Sequence, residues 1–341
     1  MCLYHFLSSF FGLQPSNKLE IHQSIFYFIY GAPGFTFADV YNMPVHLRNF
    51  YFREFMDLKK KENQYLINDN IFFRKESKKM AVLIRKLKVI NSQELGKNMR
   101  RITLQGSDLA DFPENQESGY VKLRFPKVSE DIGKNTKKPF DLRSYTIRSF
   151  DPERLELVLD FLLHGDSGPA SKWASSVERG DSIEIAGPGP AILASPDADW
   201  YLFTGDMTAL PAIAVNLEKL SPESQGLALL EINSLEDKQE LIKPQGVEVK
   251  WIINPEPLNG CSDLINALSE VEWKGNNPYA WIAGEFELMR FARKLIKHEK
   301  SLPKDSMYLS CYWKIGADDP GMKKAKAALI LLDSLKNIFK F

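Results

Sequence analysis

The chain reads as two architectures in succession: a small antiparallel β-barrel, then an α/β domain built on a parallel sheet. Three observations predict this. Between about residues 80 and 190, short runs alternate apolar and polar residues, and Gly, Pro or Asp clusters separate them, as expected of strands with one face on a core. From about residue 196, short hydrophobic runs alternate instead with stretches of helical period, the pattern of a sheet covered on both faces. A length of 341 residues accommodates about two domains, each with its own core.

In the first half the strand-like runs are 81–90, 100–104, 120–125, 144–149, 155–164 and 182–185, with one short helical stretch at 171–177. The breaks fall at Gly106-Ser107-Asp108, Pro126, Asp151-Pro152 and Gly187-Pro188-Gly189-Pro190. Six closely spaced strands and a single helix suggest a six-stranded barrel. In the second half, strands at 201–203, 227–232, 247–253, 280–283 and 307–311 enclose helices at 210–220, 262–271 and 286–299. A Lys-rich segment ends the chain, with Ala325, Ala328, Leu329, Leu332, Leu335 and Ile338 along one helical stripe. The expected domains are therefore 80–195, 196–316 and a C-terminal amphipathic helix at 317–341.

Residues 1–79 differ from the rest. They hold 12 Phe and 6 Tyr but no Trp, whereas all six Trp fall later. The segment has no basic stretch ahead of an apolar run, so it does not read as a secretory signal. Its apolar run at 24–30 is far short of the ~20 residues that span a bilayer. We expect an atypical extension, non-native or disordered, ahead of a fold that begins at Met80.

Composition excludes several classes. With 44 basic and 44 acidic residues, the chain lacks the cationic excess of a nucleic-acid or anionic-membrane binder. Three distant cysteines, Cys2, Cys261 and Cys311, build neither a disulfide framework nor a C-x-x-C metal or iron–sulfur site. A reducing, cytoplasmic location, a monomer and no bound metal are the corresponding expectations.

The chemistry begins at Arg143-Ser144-Tyr145-Thr146-Ile147-Arg148. On a strand, Arg143 and Tyr145 share one face and Thr146 takes the other. An arginine fork suits a diphosphate, and a tyrosine ring offers a flat surface to a ring system. An ordinary edge strand with solvated arginines is the structural alternative. Next comes Asp160-Phe161-Leu162-Leu163-His164-Gly165-Asp166-Ser167-Gly168-Pro169-Ala170-Ser171-Lys172-Trp173-Ala174. A strand there enters a Gly-bearing turn and opens a helix whose first amides, at Gly168, Ala170 and Ser171, suit an anion. Ser171 is read as N-cap or phosphate ligand, and His164 as a cofactor contact or a structurally satisfied histidine.

These two segments, followed by Gly180-Asp181 and Gly187-Pro188, resemble the siderophore-interacting protein family: flavin-dependent, NAD(P)H-linked ferric-siderophore reductases in the ferredoxin-reductase-like superfamily. Thr204-Gly205-Asp206-x-Thr208-Ala209-Leu210-Pro211-Ala212 resembles the family's nucleotide-domain opening. Ala283-Gly284-Glu285 and Tyr312-Trp313-Lys314-x-Gly316 resemble its C-terminal signature. The likeness covers about residues 80–320. Met207 stands where the family usually has Glu, and Lys314 where Arg is common.

The resemblance implies an FAD-binding barrel followed by a Rossmann-like NAD(P)H-binding domain. It assigns FAD to Arg143, Tyr145, Thr146, His164, Gly168, Ala170, Ser171 and Trp173, and NADPH or NADH to Gly205, Asp206, Thr208, Ala209, Gly284 and Glu285. The substrate it implies is a ferric siderophore, and by their charge Lys314, Lys323 and Lys324 are read as candidates to attract an anionic chelate. Asp206 and Glu285 also read as plain helix caps, and the lysines as solvated surface. Electrons pass from nicotinamide through flavin to Fe³⁺, releasing Fe²⁺, and no catalytic side chain is needed because the cofactor carries the chemistry. An external ferredoxin is an open alternative donor.

Competing readings are a general flavin or ferredoxin-linked reductase, and a non-enzymatic siderophore-binding module on the same fold. Gly165-Asp166-Ser167-Gly168 also echoes the nucleophile segment of serine proteases, but the histidines before it, His5, His22, His46 and His164, lack the context of a triad.

Overall fold

The computed structural model describes residues 83–126, 140–164 and 168–317, together with Met43, Pro44 and Leu47. The rest of the expected leader, the expected C-terminal helix, and Lys323 and Lys324 lie outside the described residues. The two domains described below both fall within one contact unit, Val82–Lys326.

Six antiparallel strands close a barrel: β1 (Ile84–Glu94), β2 (Met99–Gln105), β3 (Tyr120–Pro126), β4 (Phe140–Asp151), β5 (Glu156–Leu162) and β6 (Ser182–Gly189), in the order β1-β2-β5-β4-β3-β6. The expected alternation is plain in β1, where Arg85, Leu87 and Val89 are buried while Ile84, Lys86 and Lys88 are exposed. Leu87, Ile102, Leu104, Leu123, Ile147, Leu157, Leu159 and Phe161 form the fully excluded core. A short helix, α1 (Pro169–Ser176), leads from β5 toward β6.

Most boundaries shift from the sequence reading by one or more residues, β1 running 84–94 where the sequence predicts 81–90 and β4 running 140–151 where it predicts 144–149; at three places the shift has a local reason. β5 starts one residue later than expected because Leu155 sits at φ 54, a left-handed turn conformation outside the extended region of regular strands. β6 runs on through Gly187 and Pro188 to Gly189, with a register irregularity where it pairs with β3 between Tyr120 and Lys122. Here Gly187 adopts φ 129, so the glycine absorbs the irregularity instead of ending the strand. Helix α1 begins at Pro169, two residues earlier than expected, since proline suits the first helical position.

The second domain carries a five-stranded parallel sheet of β7 (Trp200–Gly205), β8 (Gly226–Ile232), β9 (Val247–Ile253), β10 (Pro278–Glu285) and β11 (Met307–Trp313), ordered β11-β10-β7-β8-β9. Every residue of β7 is buried, as the central strand of a doubly covered sheet should be. The helices are α2 (Leu210–Lys219), α3 (Ser262–Ser269) and α4 (Phe286–Arg293), the last continuing as a π turn to Glu299. The chain fills the sheet outward from β7 to β9 and then returns to the other side with β10. The strand order therefore reverses between β7 and β10, at a topological switch point.

Candidate functional site

Strands β4 and β5 do not pair along their whole length. Their register runs from Asp151 opposite Glu156 to Ile147 opposite Leu159 and stops. Beyond it, β4 continues against β3 as far as Phe140, and β5 continues against β2 as far as Leu162. The wall of the barrel thus parts along 140–146 and 160–162. In that parted seam alternate backbone amides and carbonyls of each strand face away from their single remaining neighbour.

Aromatic side chains floor the seam. Tyr145 from β4 stacks on Phe161 from β5, with centroids 4.2 Å apart and rings inclined by 29°. Trp173 of α1 packs on the same Phe161 at 5.6 Å and meets Phe125 edge-on. Tyr145 and Arg143 stand opposite Val121 and Leu123 in the β3–β4 register and so share one face, as alternation requires. Burial raises the Tyr145 phenol above its ordinary pKa, a shift that neighbouring Arg143 partly offsets. Thr146, on the other face, is buried.

At the far lip, helix α1 starts with Gly168 as its N-cap, which supplies no side-chain cap. Ser171, expected as the N-cap or an anion ligand, is buried inside the first turn, and its hydroxyl accepts the His164 backbone N–H at 3.0 Å. The N-cap expectation is therefore corrected: the hydroxyl ties the end of β5 to the helix. A Cβ at Gly168 would lie 3.6 Å from His164 Cε1, so the imidazole borders the helix opening. Tyr145 and Trp173 thus meet through Phe161, and His164, Gly168 and Ser171 meet at the β5–α1 junction. Arg143 and Thr146 lie along the same stretch of β4, and Ala170 lies in the first turn of α1. Trp173 and Ser171 also carry structural contacts there.

The second group lies at the switch point. Gly205 ends β7 opposite Ala283 of β10; a Cβ there would come within 2.7 Å of Ala209 Cβ and of the Ala283 carbonyl, so only glycine fits. Asp206 follows. One of its oxygens accepts the backbone N–H (2.9 Å) and hydroxyl of Thr208. The other accepts the Glu285 N–H at 3.0 Å and the Trp313 indole N–H at 2.8 Å. Burial pushes the Asp206 carboxyl up, and the bonds from Thr208 and Trp313 pull it back. Gly284 sits at φ 150, where a Cβ would lie 2.5 Å from Asp206 Oδ2. Glu285 caps α4 by accepting the Glu287 N–H and takes the Ile315 N–H at 3.2 Å. Both acids, read from the sequence as nucleotide contacts or caps, brace the ends of β7, β10 and β11 against one another.

Sequence reasoning missed Glu231 near the end of β8. It is buried with Oε2 lacking a partner among the described residues; burial foremost, then the nearby Asp206, raises its pKa to about 7. Lys314 has its ammonium 4.0 Å above the Phe286 ring at the start of α4.

The barrel and the sheet are joined by specific contacts. Met207, buried, packs with Met99 and Ile232, and Leu162 at the end of β5 and Leu95 close around them. Asp237 takes the backbone and side-chain N–H of Asn98, each at 2.7 Å. Arg148 of β4 forms a two-point ion pair with Glu218 of α2. Leu162, packed against the cluster that contains Met207, brings the end of the parted strand to the first β–α turn of the sheet domain. None of these pairings has a local sequence signal, although Asp160-Phe161 and Arg148 belong to the quoted motifs.

The model of the siderophore-interacting protein family matches residues 198–316, and that of the siderophore-interacting FAD-binding domain matches residues 88–192. The chain belongs to the siderophore-interacting protein family. Ferric vibriobactin reductase ViuB of Vibrio cholerae is 32% identical over 248 residues, spanning 69% of this chain and 91% of that one. The NADPH-dependent ferric-chelate reductase of Escherichia coli is 26% identical, over 67% of this chain and 92% of its own. Among solved structures, the siderophore-interacting protein SipS of Aeromonas hydrophila superposes with a TM-score of 0.64 at 32% identity, covering 73% of this chain and 98% of that one. Among the described residues no helix is long and apolar enough to cross a membrane.

Proposed function

We propose that this protein is a ferric-siderophore reductase that takes electrons from NAD(P)H and passes them through FAD to Fe³⁺, releasing Fe²⁺ in the cytoplasm. The carrying observation is the parted β4–β5 seam, floored by the Tyr145–Phe161 stack and brought against the switch point by Leu162 and Met207. The family match and the names of the relatives support the same reading.

The residues of the seam fit an elongated, partly aromatic dinucleotide. Tyr145 offers a ring face, Thr146 and the single-sided strand edges offer hydrogen-bonding groups, and Arg143 offers a charged fork for a diphosphate. The opening of α1 at Gly168–Ala170 adds backbone N–H groups and the positive end of a helix dipole. FAD bound there would link a two-electron donor to a metal that accepts electrons singly. At the switch point Gly205, Thr208 and Ala209 would receive the nicotinamide nucleotide, with Asp206, Gly284 and Glu285 shaping its floor. Lys314, anchored over Phe286, holds a positive charge at the same sheet edge, where it attracts an anionic chelate. The substrate need only bring its iron near the flavin, so few side chains must touch it.

The test is a visible spectrum of the purified protein, then anaerobic addition of NADH, NADPH and finally a ferric catecholate with a ferrous trap. The reading expects a yellow protein, bleached by a nicotinamide nucleotide and reoxidised by the chelate as trapped Fe²⁺ accumulates. A colourless protein that takes up no added FAD, or a bound flavin that neither nucleotide reduces, would overturn it.

A further inference from the structure

Strands β8 and β9 end level at the carboxyl edge. Ile232 lies opposite Ile253, and the Asn254 N–H extends the ladder to the Ile232 carbonyl at 2.8 Å. The segments that leave there, 233–238 and 254–260, flank the side of the switch point occupied by the strand after the Gly205 turn. In sheets of this topology that side receives the adenosine half of a dinucleotide, and a residue there reads the ribose 2′ position: a carboxylate for a hydroxyl, an arginine for a phosphate.

Two features of this edge bear on that choice. Leu235, Ile253 and Leu258, in or beside these two segments, are 61%, 43% and 68% exposed, aliphatic surface of the kind that a purine ring can pack on. Charges of both signs stand beside them, and exposed Lys97 lies on the β1–β2 turn whose Gly96 and Asn98 abut Glu236 and Asp237. Glu236 and Glu256 are exposed, Asp237 is engaged by Asn98, and Lys238 is the one cation in the two segments, which contain no arginine. Asn254 and Asn259 are held internally, by the Gly260 carbonyl and by Glu256. A 2′-hydroxyl finds acceptors here. A 2′-phosphate, with nearly two negative charges, meets the carboxylates of Glu236 and Glu256 and the single ammonium groups of Lys97 and Lys238. Neither segment offers an arginine fork to bind it at two points.

We propose that the 233–238 and 254–260 segments form the adenosine site and that the protein selects NADH over NADPH. The proposal rests on the dinucleotide-dependent reading above and departs from the NADPH dependence in the name of the Escherichia coli relative.

Calorimetric titration of the flavin-loaded protein with ADP-ribose and with its 2′-phosphorylated form tests it without turnover. The unphosphorylated ligand should bind at least about tenfold tighter, the gap narrowing as salt rises. The paired substitution Glu236→Lys and Glu256→Lys should close or reverse the gap, with flavin content serving as the check on folding. Equal or tighter binding of the phosphorylated ligand to the unaltered protein would overturn this proposal and leave the reductase reading intact. Binding of neither ligand would overturn the site altogether. Discrimination without any reduction of ferric chelate would sustain the site while removing the reductase reading.

Discussion

The carboxylate of Asp206, just past the end of β7, accepts the indole N–H of Trp313, at the end of β11, across the intervening β10. The same carboxylate holds the Glu285 amide of β10, so one buried side chain ties three strand ends together at the switch point. Asp206→Ala orphans several buried donors at once and should cost roughly 3–5 kcal/mol, whereas Trp313→Phe removes one bond and should cost about 1–2 kcal/mol. Gly284→Ala should approach the former, since its Cβ would displace Asp206 in a backbone conformation that disfavours side chains. Urea midpoints at unchanged slope measure all three; a Trp313→Phe loss equal to that of Asp206→Ala would contradict the ranking.

Glu231 makes stability depend on pH. Its folded pKa of about 7 lies above the ordinary 4.5, so between those values the folded protein holds a proton the unfolded chain has released. This contribution is fully present below about pH 4.5, declines as pH rises toward 7 and is absent above it, a change of roughly 3 kcal/mol at most. Glu231→Gln, which keeps the shape without the titration, should remove that slope from denaturation midpoints measured across the window. A slope unchanged by the substitution would show that another group is responsible.

Asp160 is more deeply committed than Glu218. Its side chain is 1% exposed and takes two bonds from Arg101, at 2.7 and 2.8 Å, with Arg148 also nearby. Glu218, 25% exposed, pairs with Arg148 alone among the described residues. Asp160→Ala should therefore cost about 3–5 kcal/mol, as loss of a buried ion-pair partner does. Glu218→Ala should cost about 1 kcal/mol, the range of a partly solvated pair. Chemical denaturation of the two variants decides the order.

Tyr145 supplies a ring face to the proposed flavin site, so Tyr145→Ala should lower the flavin retained per polypeptide after gel filtration. Tyr145→Phe, which keeps the ring, should leave it nearly unchanged. Flavin content read from visible absorption distinguishes the two; full retention in Tyr145→Ala would remove this residue from the site.

Much of the architecture was legible because its signals are local. The alternation in β1, the apolar run that opens β7 and the Pro169 helix start each reflect the environment of a few consecutive residues. The Arg143–Tyr145 face and the Gly205 turn were legible for the same reason: strand alternation and glycine's lack of a Cβ are properties of the chain itself. The same local signals misjudged Leu155 and Gly187, where backbone angles rather than apolar content decide where a strand ends.

What only the tertiary structure decided was partnership. That β4 meets β5 only from Ile147 onward depends on which strands outbid each other for pairing across the barrel. That Asp206 and Glu285 brace Trp313 and Ile315 depends on β10 and β11 arriving beside β7 from more than seventy residues away. Met207 likewise takes its meaning from Met99, on a strand of the other domain. A carboxylate or a thioether carries no mark in its own neighbourhood of the donor or surface it will meet, because that partner is set by how the layers pack.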